Sequence, residues 1–400
     1  MRYVDEFRDP QAARQLIEQI RGLATRRWVL MEVCGGQTHS LLRYGIDEAL
    51  EDCVELIHGP GCPVCVTDTA VLDLAVEAAL EPGWVLAGFG DMLRVPGTRL
   101  SLQQAQAFGG RVLAVYSPWD AVEYAQRNPQ LQVVFLAVGF ETTAPATALA
   151  VLEAHRLGLT NFSVLSAHVR VLPAMEWLMK ASIRVQAFLA AGHVCTVTGY
   201  GDYHTFVQQY RLPVAIAGFE PLDLLLAIHA CVRQLEAGTS AVENCYLRAV
   251  IEGGNPAAQR LVQEVYVPCD RSWRGFGRIP DGGLRLRPQF SAYDAERRLA
   301  GGAFSQSIRA GTTAASGGLP VIDAAHEAAA ACCAGEVLAG LLKPPDCPHF
   351  GRGCHPDKPL GAPMVSSEGA CAAWFRYHPP QHETAISSES PARQNDESKI

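Results

Sequence analysis

The chain has 400 residues, 48 % of them apolar and 18 % charged, with a formal net charge of −8. That length predicts two or three domains, and the composition is that of a globular interior, which excludes a disordered chain. The negative balance leaves no basic footprint, so nucleic acid is not the expected partner.

The chain starts with "MRYVDEFRDPQAARQLIEQI", in which charges are scattered and no apolar h-region occurs. Residues 1–26 therefore read as a helix of the mature protein and not a signal peptide, and this helix is expected to pack on the C-terminal domain. From residue 27 to about 235, β-branched runs alternate with amphipathic ones. The expected strands are "RWVLMEV", "VELI", "WVLAGF", "RVLAVY", "QVVFLAVGF", "FSVLSA", "HVCTVTG" and "PVAIAGF". The expected helices span 67–80, 117–127, 142–157, 173–190 and 221–236. This rhythm predicts an α/β fold of βαβ units with parallel sheets flanked by helices. It is generous for one sheet, so two adjacent domains are expected, 27–118 and 119–240. A Gly-Phe pair followed by an acid recurs where strands close, in "AGFGD", "AVGFET" and "AGFEP".

After about 245 the texture changes. Gly, Pro and Arg become frequent in "RSWRGFGRIPDGGLRLRPQF", and strands are hard to find. A smaller third domain is expected over 241–378, held together partly by something other than apolar packing, with a polar, disordered tail over 379–400. No run reaches the roughly 18 apolar residues that a membrane span needs, so no membrane partner and a cytoplasmic location are expected.

Thirteen cysteines in such a compartment point to metal binding or redox work more than to disulfide staples. Cys53, Cys195, Cys231, Cys245 and Cys269 stand alone and are expected as small core residues. The others cluster. "EVCGGQTHS" places Cys34 after a strand, with Thr38 to cap the next helix and His39 beside it. "HGPGCPVCVTDTA" sets Cys62 and Cys65 before a helix capped near Thr67, and "GFETTAP" ends a strand at Glu141 with Thr142 or Thr143 as cap. Ligands of open parallel sheets bind outside the carboxyl ends of strands, so all three motifs are expected to face one crevice. A thiol beside a helix N-terminus is pushed toward thiolate, which favours Cys65. Pro60 and Pro63 stiffen the turn, and Gly59 and Gly61 permit positive φ. The pair is therefore expected to do redox chemistry, with a zinc knuckle using Cys34, His39 or His58 as the alternative.

Near the C-terminus, Cys332 and Cys333 lie on a helix-like segment, followed by Cys347, Cys354 and Cys371 on loops. Thiolates so arranged can enclose a cubane cluster, although the spacing alone does not choose between iron–sulfur and zinc.

Together "CGGQTH", "GPGCPVCV", "GFETTAPATA", "AGFEPLDLL", "CAGEVLAGLLKPPDCPHFG" and "MVSSEGACAAW" resemble the hydrogenase maturation factor HypD family, from about Met31 to Tyr377. The resemblance implies two α/β domains plus an iron–sulfur domain. It implies a scaffold that builds the Fe(CN)2CO unit of [NiFe]-hydrogenase with a HypC-type small chaperone and a HypE-type cyanide donor. By motif match, Cys34 would hold the iron, and Cys62 and Cys65 would be the redox pair. His39 and Glu141 would line the crevice, and Cys332, Cys347, Cys354 and Cys371 would hold a [4Fe-4S] cluster. Where the family has C-x-C-G-E this chain reads "CCAGE", so Cys333 stands as an alternative to Cys332, and Pro363 stands where a cysteine would be familiar. A zinc-stabilised binding protein and a stand-alone thiol-disulfide oxidoreductase are the competing functions.

Overall fold

A computed structural model describes residues 4–180, 184–300 and 332–380. Among these described residues, nine parallel strands form two sheets. The first contains β1 (Trp28–Glu32), β2 (Val54–His58), β7 (Ala187–Ala191), β8 (Val214–Ala217) and β9 (Val242–Asn244), in the order β2-β1-β7-β8-β9. The second contains β3 (Trp84–Gly88), β4 (Val112–Ala114), β5 (Gln132–Gly139) and β6 (Phe162–His168), in the order β4-β3-β5-β6. An antiparallel hairpin, β10 (Tyr266–Trp273) and β11 (Gly277–Leu286), follows.

The expected boundary at 118/119 is not where the sheets divide. β3 and β5 are hydrogen-bonded neighbours on either side of it, and β1 and β2 share a sheet with β7, far along the chain. Local alternation of strand and helix fixes the elements. It does not fix which strands pair, because that depends on faces that meet only in three dimensions.

Side chains alternate faces along each strand, and the burial pattern sorts accordingly. Met31, Ile57, Phe188 and Ile216 of the first sheet join Leu86, Val134, Leu136 and Leu165 of the second in one apolar core. The opposite face of the first sheet, with Leu30, Leu56, Leu189 and Ala215, is covered by helices Pro10–Leu23 and Pro221–Glu236. The opposite face of the second, with Val133, Phe135 and Val164, packs under helices Pro118–Arg127 and Ala144–Arg156.

Among the described residues, the N-terminal helix therefore packs on helix Pro221–Glu236 through Ala13, Ile17 and Ile20, not on the C-terminal segment as expected. Arg8 pairs with Glu220 and Thr25 N–H donates to Glu236 at 2.7 Å, which pins both ends of that contact.

Two further expectations are corrected. "HVCTVTG" is not a strand but helix Gly192–Thr198, and the strand before it is "AFLAA", taken above as the end of a helix. Alanine favours helix locally, yet this segment is buried on both faces between β1 and β8, where the pairing overrides propensity. The β10–β11 hairpin lay in the stretch where strands were hard to find. Its alternation is broken by a bulge between Cys269 and Arg271 and by a glycine-rich second strand.

The segment 332–380 has only short elements: helices Ala334–Leu338, Ala362–Val365 and Ala370–Tyr377 among loops. Most of the helix expected around Cys332, and the tail from 381 onward, lie outside the described residues. Of the solitary cysteines, Cys53, Cys195 and Cys231 are buried as expected, whereas Cys245 and Cys269 are half-buried. No helix among the described residues is long and apolar enough to cross a membrane.

Helix Pro221–Glu236 is tied to the loop after β9 by Asp223. Its fully buried carboxylate accepts from Arg248 at 2.6 Å and from the backbone N–H of Phe219 and Glu220. Removing one partner of a buried pair strands the other. Asp223→Ala should therefore lower the unfolding free energy by about 3 kcal/mol, read as an earlier midpoint in urea titration.

Candidate functional site

In the first sheet, the chain runs from β1 outward to β2 on one side, and β7 and β8 lie on the other. The crevice opens where the order reverses, between the loops after β1 and after β7. Cys34 follows β1, and His193 opens the helix after β7, with Cys34 Sγ 3.6 Å from His193 Nδ1. His193 was not singled out from the sequence, because its segment was taken for a strand.

Cys34 is the N-cap residue of helix Gly35–Arg43 in extended conformation, and its side chain makes no capping bond. Burial pushes its thiol up to about 12. Backbone N–H groups of Gln37 and Gly36 oppose the shift, while Glu32 and Glu368 add to it. The thiol thus keeps its proton at neutral pH. Thr38, expected as a cap, instead donates to the buried carboxylate of Glu32, which also accepts from Cys34 N–H at 2.8 Å. Gln37 Nε2 donates to Ala190 O and Ala217 O at 3.1 and 3.0 Å, tying the helix to the ends of β7 and β8.

The CPVC turn sits directly against this loop. Gly35 N–H donates to Gly61 O at 3.0 Å, and a Cβ on Gly61 would lie 2.1 Å from Cys34 N. Glycine at 61 is thus required by close approach, not by positive φ as expected; neither Gly59 nor Gly61 adopts it. Cys62 and Cys65 form a disulfide, both buried at 2 % and 0 % exposure. Cys62, not Cys65, is the N-cap of the one-turn helix Pro63–Val66, and its sulfur accepts from Cys65 N–H at 3.1 Å. The next helix, Thr69–Leu80, is capped by Asp68.

The structure brings Cys34, Cys62 and Cys65 together in one core, but it does not bring His39 or Glu141 to the same point. His39 turns to the C-terminal segment, where Nε2 meets Ser367 O and Nδ1 lies 3.4 Å from Tyr377 Oη. Burial lowers its pKa, partly offset by Ser367.

Glu141 follows β5 and lines a cavity of about 320 Å³ together with Arg170, with Thr198 and Tyr203 from the helices after β7, and with Gln259 and Arg287. Burial raises the Glu141 carboxyl to about 7, opposed by its own backbone N–H, by Arg170 and by Val171 N–H, which donates at 3.1 Å. Thr143 is the helix N-cap but makes no side-chain cap bond.

At the C-terminus, Cys332, Cys333, Cys347, Cys354 and Cys371 line one small cavity of about 20 Å³ with Val337, Phe350 and Met364. Burial raises Cys332 to about 11, opposed by Ala334 N–H, with Cys354, Cys347 and Cys333 adding to the shift. Cys371 is also pushed well up, by burial first and then by Cys332 and the other thiols. Gly361 admits Cys332, since a Cβ there would lie 2.3 Å from its sulfur. Cys354 Sγ accepts from Leu360 N–H at 3.4 Å. Among the described residues, no three His, Cys, Asp or Glu side chains converge as ligands of a single ion.

A family model described as "HypD: Hydrogenase formation hypA family" matches residues 11–378. "Hydrogenase maturation factor HypD" of Azotobacter vinelandii is 46 % identical over 387 residues, 94 % of this chain and 97 % of that relative. The protein of the same name from Rhodobacter capsulatus is 43 % identical over 386 residues, covering 94 % and 98 %. That of Escherichia coli K12 is 41 % identical over 392 residues, covering 96 % and 100 %.

Two outcomes are expected from this geometry. Gly61→Ala should part the CPVC turn from the Cys34 loop, seen as a lower melting temperature together with faster labelling of Cys34 by a thiol reagent. For Glu141, the folded chain holds a proton up to about pH 7 that the unfolded chain releases in the ordinary carboxylate range. The folded state binds the extra proton across that window, so stability falls as pH rises through it. Glu141→Gln should flatten that fall in melting temperatures recorded from pH 4.5 to 7.5.

Proposed function

The chain belongs to the HypD family of hydrogenase maturation factors, and on that premise we propose that it is the scaffold and electron donor for assembly of the Fe(CN)2CO centre of [NiFe]-hydrogenase. Cys34 grips the cargo iron together with a thiolate from a HypC-type small chaperone. The Cys62–Cys65 pair, as a dithiol, reduces a thiocyanate presented by a HypE-type donor. Cys332, Cys347, Cys354 and Cys371 hold a [4Fe-4S] cluster. The observation that carries the reading is the backbone contact between Gly35 and Gly61, which sets the iron-gripping thiol and the reducing pair against each other.

The residue chemistry supports each role. A thiolate is a soft ligand suited to iron that carries cyanide and carbon monoxide. Iron binding displaces the proton that burial holds on Cys34, and His193 Nδ1 lies 3.6 Å from the sulfur. Burial holds His193 down at about 4, so it stands uncharged beside Cys34 at neutral pH and does not keep that proton.

Cleaving R–S–C≡N to R–SH and HCN consumes two electrons and two protons. Oxidation of the two thiols of Cys62 and Cys65 to a disulfide releases two of each, so the step balances.

The C-terminal cysteines suit a multinuclear centre. In a cubane each thiolate binds a separate iron, so the sulfurs ring a space without meeting at a point, whereas tetrahedral zinc draws its ligands together. The apolar walls and the Leu360 N–H bond to Cys354 are of the kind that tune such a centre. Cys332 is preferred to Cys333 because its thiol is enclosed with Cys347 and Cys354 behind Gly361. When bound, the cluster supplies single electrons that regenerate the dithiol.

The test uses anaerobically purified chain. Wild type should be brown with about four cluster irons, and Cys371→Ala should lose the colour. Cys62→Ser should keep it yet fail to mature hydrogenase, and Cys34→Ala should lose the cyanide and carbon monoxide infrared bands of the complex with its partner. Zinc in place of iron, or loss of cluster iron in Cys62→Ser, would sink the reading.

A further inference from the structure

A line of buried hydrogen bonds runs from the helix that carries Cys371 to the backbone of Cys34. Trp374, one turn beyond Cys371 on helix Ala370–Tyr377, donates its indole N–H to His58 Nε2 at 2.7 Å. His58 Nδ1 is 2.8 Å from Glu32 Oε1. Glu32 Oε2 accepts from Cys34 N–H at 2.8 Å, and its other oxygen also takes the Thr38 hydroxyl. The side chains of His58 and Glu32 are 3 % and 0 % exposed, so the His58–Glu32 and Glu32–Cys34 links are shut from water, and the Trp374–His58 link is part-buried.

The direction of the line is fixed by chemistry. An indole N–H only donates, so His58 Nε2 must accept and Nδ1 must carry the ring hydrogen. That hydrogen is then aimed at Glu32. The β1–β2 register makes Glu32 and His58 direct partners at the strand ends, which sets the two side chains within reach before Trp374 arrives. A histidine bonded through both nitrogens has one tautomer and one ring orientation. Losing the indole donor frees the imidazole to flip or change tautomer, and Glu32 then loses the partner that orients it.

We infer that Trp374 and His58 are positioning residues for Cys34: with Glu32 they form a strut by which docking of the Cys371 helix sets the Cys34 loop. The thiol is consequently in place only when the C-terminal segment is folded onto β1 and β2. Its bearing on iron delivery rests on the scaffold role proposed above, and would make assembly of the cysteine cage a precondition for loading iron at Cys34. The mechanical effect on Cys34 does not rest on that role.

Trp374→Phe tests the strut, since it keeps the aromatic ring and removes only the N–H. In the full-length chain, iodoacetamide labelling of Cys34 is followed by mass spectrometry, with Cys231 as reference because it is fully buried on helix Pro221–Glu236, facing Phe188 of β7. Removing the donor from a buried acceptor should favour local opening and raise Cys34 labelling about tenfold, leaving Cys231 unchanged. Nitrogen-15 spectra should show His58 as a single Nδ1–H tautomer in wild type and as a mixture in the variant. An unaltered Cys34 rate, equal acceleration of Cys34 and Cys231, or an unaltered His58 spectrum would each overturn the inference. Failure of the scaffold role would appear instead in the infrared bands and iron content, and would leave these rates as they are.

Discussion

The pairing of β1 with β7 is the constraint from which the rest follows. β1 has β2 on one side, but the chain then leaves to build the whole second sheet before returning as β7 on the other. That return closes a long loop, and its entropic cost is met by strands buried on both faces. It also creates a reversal of strand order between β1 and β7, so the loops after them diverge and leave a crevice. Cys34 and His193 stand on its two lips. Glu141, after β5 of the second sheet, instead faces a cavity walled by Thr198 and Tyr203 of the helices that follow β7.

Sulfur occupies two different electrostatic settings. Cys34 lies among carboxylates, Glu32 and Glu368, and its thiol is raised by burial first and by them after. Such a thiol reacts slowly with alkylators while the loop is closed, so a rise in its labelling reports opening of the loop. Cys332, Cys354 and Cys371 are likewise raised by burial first, and there the neighbouring thiols add to the shift, in a cavity with apolar walls. Charging more than one of them without a counter-charge is unfavourable.

The elements were largely legible from the sequence. Helix 221–236 emerged at its observed limits, and "QVVFLAVGF" announced β5 through an apolar run that only a strand buried on both faces tolerates. The pairing was not legible. "AFLAA" reads locally as helix, and only its neighbours β1 and β8 make it a strand. Within the site, Cys34, Cys62 and Cys65 were visible because cysteine in a glycine- and proline-lined turn has few other uses. His58 entered only as a zinc alternative, while Glu32 and Trp374 stayed hidden. Each is an ordinary residue whose meaning is a hydrogen bond to a partner far away in sequence, and spacing carries no trace of that.

The hairpin, which had no expected role, contributes the cation of this region. Its turn reaches the end of the CPVC helix, where Arg274 N–H donates to Val66 O at 2.8 Å and the guanidinium donates to Thr67 O and Pro96 O at 3.0 and 2.9 Å. Burial lowers the Arg274 pKa, and Asp68, Cys332 and Asp73 act against the shift. A guanidinium stays charged even so. Its hydrogen-bond partners are neutral carbonyls, and Asp68, Asp73 and Cys332 are the groups that feel its charge. Negative charge gained at Cys332 is stabilised by this ion, which the bonds to Thr67 and Pro96 hold in place. The hairpin therefore ties the end of the CPVC helix to the electrostatic surroundings of Cys332.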